Sequence, residues 1–164
     1  MAGGAEFNCR KELENDVTTL FLSGEINERT EFAAIFEDIS TTALVVNLKG
    51  ITRINSCGVR DWVNATKPLA SRLKISYVEC SRAIVDQLNM IVNFLSAGKI
   101  VSFYAPYFCE KCDAERDMLI EIDASYPEEE DREEPSAPEL VCPECNAEMC
   151  FNEDEEKYLS FLSD

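Results

Sequence analysis

The sequence predicts an α/β fold: a mixed β-sheet packed by helices, followed by a small four-cysteine module. Three observations predict it. Up to about residue 104, β-rich segments alternate with segments whose apolar residues recur at helical spacing. After Pro106 the texture changes to paired cysteines and acidic residues. Charge divides at the same place. Residues 1–104 carry 11 Lys+Arg against 12 Asp+Glu, residues 105–164 carry 4 against 20, and the chain totals −17.

In chain order, residues 5–10 offer a β-prone opening, and 17–23 (VTTLFLS) read as a strand ended by Gly24. Residues 30–39 place Phe32, Ile35, Phe36 and Ile39 on one helical face. Residues 43–49 contain the β-branched run Leu44-Val45-Val46, a buried strand, and Lys49-Gly50 is expected to turn the chain. Ile51 and Ile54 return to the core. A helix is expected from near Gly58 to about Arg72, with Val59, Trp62, Val63 and Leu69 inward. Residues 74–80 (KISYVEC) are the next strand. Residues 81–95 form a helix with Ile84, Leu88, Ile91, Val92 and Leu95 on its apolar face, Ser81 at its N-cap and Gly98 as terminator. A last strand, 99–104, completes the order β-β-α-β-α-β-α-β, with a boundary at Pro106 dividing 1–105 from 106–164.

In the second part, residues 117–122 read as a short strand. Residues 126–139 hold three prolines and seven Asp/Glu, a solvated acidic loop. Residues 152–162 read as a helix capped by Asn152, with Glu155 three residues on and Tyr158, Leu159 and Leu162 apolar.

A chain of 164 residues buries one good core plus a small appendage. No apolar run approaches the roughly 20 residues of a membrane span, and the opening MAGGAEFNCRKELE lacks the order of a signal peptide. The expected location is the cytoplasm, with no membrane partner. The acidic balance argues against a nucleic-acid partner. The chain has no histidine, which removes the commonest general base, and no Gly-rich phosphate loop. Glu128 and Glu130 sit in the solvated run, and Trp62 reads as core. No enzyme activity is expected.

Cysteine usage points to a metal. Cys9, Cys57 and Cys80 are scattered and read as buried free thiols of the first part. The others cluster: Cys109, Cys112, Cys142 and Cys145 have the spacing C-x2-C-x29-C-x2-C, with Cys150 as a spare thiol or replacement ligand. Two CxxC knuckles present four thiolates to one tetrahedral ion. A closed four-cysteine site leaves no position for water, so its expected role is structural, with one zinc ion. The Val-Cys-Pro-x-Cys run also resembles rubredoxin, an iron electron carrier, although Asp113 and Asn146 stand where rubredoxin knuckles carry glycine. Zinc is the favoured ion and iron the alternative.

Residues 55–58 (Asn-Ser-Cys-Gly) follow the central strand and open a helix. A serine there meets free backbone N–H groups and the positive end of the helix dipole, where a phosphate is tolerated. The same serine could instead cap the helix.

Several of these segments resemble the STAS domain, the fold of bacterial anti-sigma factor antagonists and of sulfate-transporter tails. Leu20-Phe21-Leu22-Ser23-Gly24-Glu25-Ile26-Asn27 is similar to the family's strand and Gly-Glu-Leu-Asp turn, and Thr30-Glu31-Phe32 to its first helix start. The run from Val45 to Val59 is similar to its central strand and Asp-Ser-Ser/Thr-Gly-Leu loop. The resemblance covers about 100 of the 164 residues. It implies a STAS-like mixed sheet and a protein partner of the anti-sigma, serine-kinase type. It also implies a phosphoacceptor at Ser56, and a partner surface comprising Gly24, Glu25, Asn27, Thr30, Asn55, Ser56, Cys57 and Gly58. The chain departs from the pattern at Asn55, where the family has aspartate, and at Cys57. A scaffold subunit that never switches is the alternative.

Overall fold

The computed structural model describes residues 4–96, 98–125 and 134–163. The first eight elements follow the expected order. They are strands β1 (Asn8–Glu14), β2 (Val17–Ile26), β3 (Ala43–Ile54), β4 (Lys74–Val78) and β5 (Lys99–Ile100), and helices α1 (Phe32–Phe36), α2 (Ser56–Thr66) and α3 (Arg82–Met90). The sheet runs β1-β2-β3-β4-β5, with β1 antiparallel to β2 and the remaining pairs parallel. The result is an α/β architecture with a mostly parallel sheet.

Burial alternates along the strands as a sheet covered on one face requires. In β2, Leu20, Leu22 and Ile26 are buried while Phe21, Ser23 and Glu25 are half-exposed. The buried set joins Trp62 of α2 and Ile84 and Val85 of α3 in the core. Trp62 has no exposed surface. Phe32 meets it edge-on at 5.5 Å between ring centroids, and Tyr77 and Phe94 lie at 6.2 Å.

Several boundaries differ from expectation. The expected turn at Lys49-Gly50 is absent, and β3 runs straight through. The register against β2 shifts there, and a Cβ on Gly50 would lie 2.5 Å from that of Ser23. Gly50 therefore serves a bulge and a close strand approach rather than a reversal. The first helix spans only Phe32–Phe36, because Glu31 supplies no side-chain cap and the two buried aromatics anchor a single turn. The second ends at Thr66, since Pro68 has no N–H to extend the ladder, and Leu69–Ser71 follow as a 3-10 turn. The third stops at Met90, with Asn93 and Ser96 in left-handed backbone beyond it. Gly98 thus does not terminate that helix. A Cβ there would lie 2.2 Å from the Tyr77 ring, so glycine admits the close approach.

The expected strand 99–104 splits. Lys99 and Ile100 complete the first sheet, whereas β6 (Ser102–Cys109) pairs antiparallel with β7 (Ala114–Glu121) in a second. A short helix α4 (Ile122–Ser125) follows β7, and β8 (Cys150–Phe151) closes the second sheet in the order β7-β6-β8. The two sheets are stitched at Cys80, whose N–H donates to the Ser102 carbonyl and whose carbonyl accepts from Tyr104. The expected acidic loop lies outside the described residues over 126–133, and 134–139 carry neither helix nor strand. The last helix begins later than expected. α5 (Glu155–Tyr158) is capped by Asp154, which accepts from the Lys157 N–H, and a 3-10 turn, Ser160–Ser163, follows. Asn152 is not the cap; its amide donates to Glu115 of β7. Among the described residues no helix is long and apolar enough to cross a membrane.

Candidate functional site

Two clusters gather the residues singled out by the sequence. The first lies where β2 and β3 deliver their C-terminal ends to the start of α2. The helix begins at Ser56 rather than near Gly58, and its N-cap is Asn55, in extended backbone (φ −97°, ψ 173°). Asn55 Oδ1 accepts from the Gly58 N–H at 2.8 Å. Ser56 is therefore not the cap. It occupies the first helical position, exposed, and its hydroxyl has no hydrogen-bond partner among the described residues. Gly58 is buried, and a Cβ there would fall 2.6 Å from the Ile26 carbonyl oxygen. Only glycine lets α2 begin this close to β2.

Asn55 also uses its other amide atom. Its Nδ2 donates to Glu28 Oε2 at 2.8 Å, tying the 24–30 turn to the helix start. That hydrogen bond is the main cause holding the Glu28 carboxyl below its ordinary range. Within the turn, Asn27 Oδ1 accepts from the Arg29 N–H at 2.9 Å, and Thr30 Oγ1 accepts from the Asn27 N–H at 3.1 Å. Gly24 sits at φ +87° and packs under the backbone of Glu6. Glu25, residues 27–30 and residues 55–57 thus form one surface, whereas Gly24 and Gly58, expected on it, are buried beneath it and shape the backbone there. Glu28 belongs to that surface but was not among the residues singled out. It lies 27 positions from its partner, and no local pattern marks it.

The second cluster is the four cysteines. Cys109 ends β6 and Cys112 follows in the turn before β7, while Cys142 and Cys145 lie in the turn after the Val141 bridge to Glu148. The four sulfurs all lie within 4.8 Å of one another. Cys109 Sγ is 3.5 Å from Cys145 Sγ, and Cys112 Sγ is 3.9 Å from Cys142 Sγ. An ion bonded to each sulfur at about 2.3 Å in tetrahedral geometry places the sulfurs about 3.8 Å apart, so the residues fit a four-thiolate site. Backbone N–H groups of Glu144 and Cys145 donate to Cys142 and lower its thiol to about 6. Hydrogen bonds that the Cys112 thiol shares with the neighbouring sulfurs, first that of Cys145, raise Cys112. The four crowded sulfurs thus share protons as one coupled group until a cation offsets their charge. Arg116 of β7 reaches the second knuckle through Glu144, at 2.7 Å.

Asp113 and Asn146 each follow the second cysteine of a knuckle, and both adopt left-handed backbone, at φ 51° and 60°. These are the side chains that tolerate that conformation best after glycine. The absence of glycine therefore does not alter the knuckle geometry. Cys150 lies outside the cluster, exposed in β8 opposite Phe108. Cys9 and Cys57 are free thiols, half-buried rather than buried as expected. Cys80 is buried, and burial pushes its thiol up to about 12.

No protein-family model matches the chain, and no curated protein matches it. Among solved structures, it is similar to the crystal structure of an anti-sigma factor antagonist from Mycobacterium paratuberculosis. The identity is 22% and the TM-score 0.37, over 44% of this chain and 67% of that one.

Proposed function

We propose that the chain is a non-enzymatic signalling protein that binds a protein partner of the anti-sigma, serine-kinase type, with Ser56 as phosphoacceptor. In this reading, residues 1–105, of which 102–105 already belong to β6 of the second sheet, are a STAS-like unit whose partner surface comprises Glu25, Asn27, Thr30, Asn55, Ser56 and Cys57 over the buried Gly24 and Gly58. Residues 106–164 are a module in which Cys109, Cys112, Cys142 and Cys145 hold one structural zinc ion. The observation that carries the reading is the free, exposed Ser56 hydroxyl at the start of an 11-residue helix whose cap is already supplied by Asn55. A phosphate adds about −1.5 to −2 charge, which the helix N-terminus favours and an acidic or apolar partner opposes. That contrast makes a switch that leaves the fold intact.

The test is incubation of the full chain with its co-purifying kinase and ATP, followed by site mapping by mass spectrometry. Phosphate on Ser56, absent from Ser56→Ala, supports the switch. An unmodified Ser56 with intact partner binding leaves a constitutive scaffold instead. A rubredoxin-like iron site is a second reading, compatible with Asp113 and Asn146 in left-handed backbone, a conformation open to glycine. Elemental analysis of the protein as isolated separates the two: colourless with zinc, or coloured with iron.

A further inference from the structure

Resting on that metal reading and going beyond it, we infer that the ion fastens an intramolecular interface. Bound metal holds residues 154–163 on the outer face of α3, and metal release uncovers that face.

Two arms lead from the cysteines to α3. The first knuckle continues into β7, where Glu115 and Asp117 reach Arg82 at the start of α3, at 2.8 and 3.5 Å. The second knuckle leads through β8 to the C-terminal turns. There Glu153 takes the other Arg82 nitrogen at 3.2 Å. Asn89, near the end of α3, makes three hydrogen bonds to this segment. Its Nδ2 donates to the Tyr158 carbonyl at 2.8 Å, and its Oδ1 accepts from the Phe161 N–H and the Ser160 hydroxyl, both at 2.9 Å. Arg82 and Asn89 lie two turns apart at helical spacing, so one stripe of α3 carries these polar contacts, while the Tyr158 hydroxyl donates to the Tyr104 carbonyl of β6 at 2.6 Å. Tyr158, Leu159 and Phe161 are buried, and Phe161 meets Phe103 edge-on at 5.1 Å.

Backbone pairing between the arms is short, and side chains add the Asn152–Glu115 hydrogen bond and the Arg116–Glu144 ion pair. β8 contributes two residues of pairing, and the Asn152 N–H donates to the Pro106 carbonyl. A two-residue strand is weak on its own. The ion takes two sulfurs from each arm, so it crosslinks them and closes the chain between residues 112 and 142. A crosslink of that kind removes loop-closure entropy from the open state. Linkage is reciprocal: whatever the ion does for docking on α3, docking does for the ion.

The test uses the full chain. Hydrogen exchange read by mass spectrometry is compared with one equivalent of Zn(II) and after chelation. Peptides covering 82–90 and 155–163 should exchange at least about ten-fold faster without metal, while those covering β2 and β3 hold their protection. Unchanged α3 peptides overturn the proposal, as does loss of protection throughout the chain. Asn89→Ala, which removes contacts to Tyr158, Ser160 and Phe161 and none to a cysteine, should lower Co(II) affinity about five-fold with the thiolate-to-cobalt band unaltered in shape. Binding as tight as wild type overturns this inference alone. No Co(II) binding by the wild type overturns the metal reading and this inference with it.

Discussion

Replacing Asn55 and Ser56 separately by alanine decides what the serine is for. Asn55 Oδ1 is the acceptor that satisfies the Gly58 N–H at 2.8 Å, one of the orphan donors of the first turn. Removing such a cap costs about 1 kcal/mol, within a range of roughly 0.5–2. For a chain of this size that is a fall in melting temperature of about 3 °C. Ser56 is exposed, and its hydroxyl has no partner among the described residues. Alanine there removes no contact and has better helix propensity, so stability should stay within about 0.5 kcal/mol of wild type. Chemical denaturation of both variants, at one metal concentration, reads the difference. Asn55→Ala clearly below Ser56→Ala is the expected order. A Ser56→Ala variant as unstable as Asn55→Ala would refute the reasoning, because the hydroxyl would then be structural and its phosphorylation would damage the helix it starts.

Three further outcomes follow from the geometry. Gly58→Ala places a methyl 2.6 Å from the Ile26 carbonyl oxygen and should cost about 1–3 kcal/mol of unfolding free energy, read by denaturant titration, with the α2 start displaced. Asp86 is held above its ordinary value of 3.8, first by burial and then by Glu153, against the pull of Arg82 and Lys157. A carboxyl that holds its proton more tightly when folded penalises the fold once ionised. Stability is therefore lost as pH rises above about 3.8 through the folded value. Asp86→Asn should be more stable than wild type at neutral pH and equal to it below about pH 4. Cys109→Ser should abolish the tetrathiolate Co(II) spectrum, whereas Cys150→Ser, at a position outside the cluster, should leave it intact.

What could be read from the sequence is what repeats locally. Alternation in 17–26 and helical spacing in 82–90 depend on each element's own burial, so the order of elements and the covered sheet face were legible. The two CxxC pairs were legible because each knuckle is a local turn. The errors share one cause. Gly50 in a bulge and Gly50 in a turn look alike until β2 is seen beside it. Residues 99–104 are β-rich throughout, and only the pairing of Ser102 with Glu121 assigns the later ones to another sheet. Asp154 and Asn152 are both good caps, and the choice is made by Glu115, which claims the Asn152 amide. Arg82 and Asn89 read as the polar side of a helix, and nothing nearby in sequence says that the C-terminal segment covers them.

Asn55 gains its meaning from Glu28. An aspartate at 55 would cap the helix as well as the amide does, since one carboxylate oxygen suffices for the Gly58 N–H. It could not donate to Glu28, and it would set two carboxylates at hydrogen-bond distance where Nδ2 and Oε2 now stand 2.8 Å apart. The amide is the group that caps with its oxygen and holds Glu28 with its nitrogen. The negative charge of the loop is thus carried by the turn, 27 residues earlier, rather than by the residue before Ser56. A double-mutant cycle isolates this pairing. Asn55→Asp alone should lower stability, more at low salt than at high. In a Glu28→Gln background the same change should be neutral or stabilising, because the helix dipole favours the new charge and no like charge opposes it. An Asn55→Asp penalty of equal size in both backgrounds would show that Asn55 and Glu28 act independently.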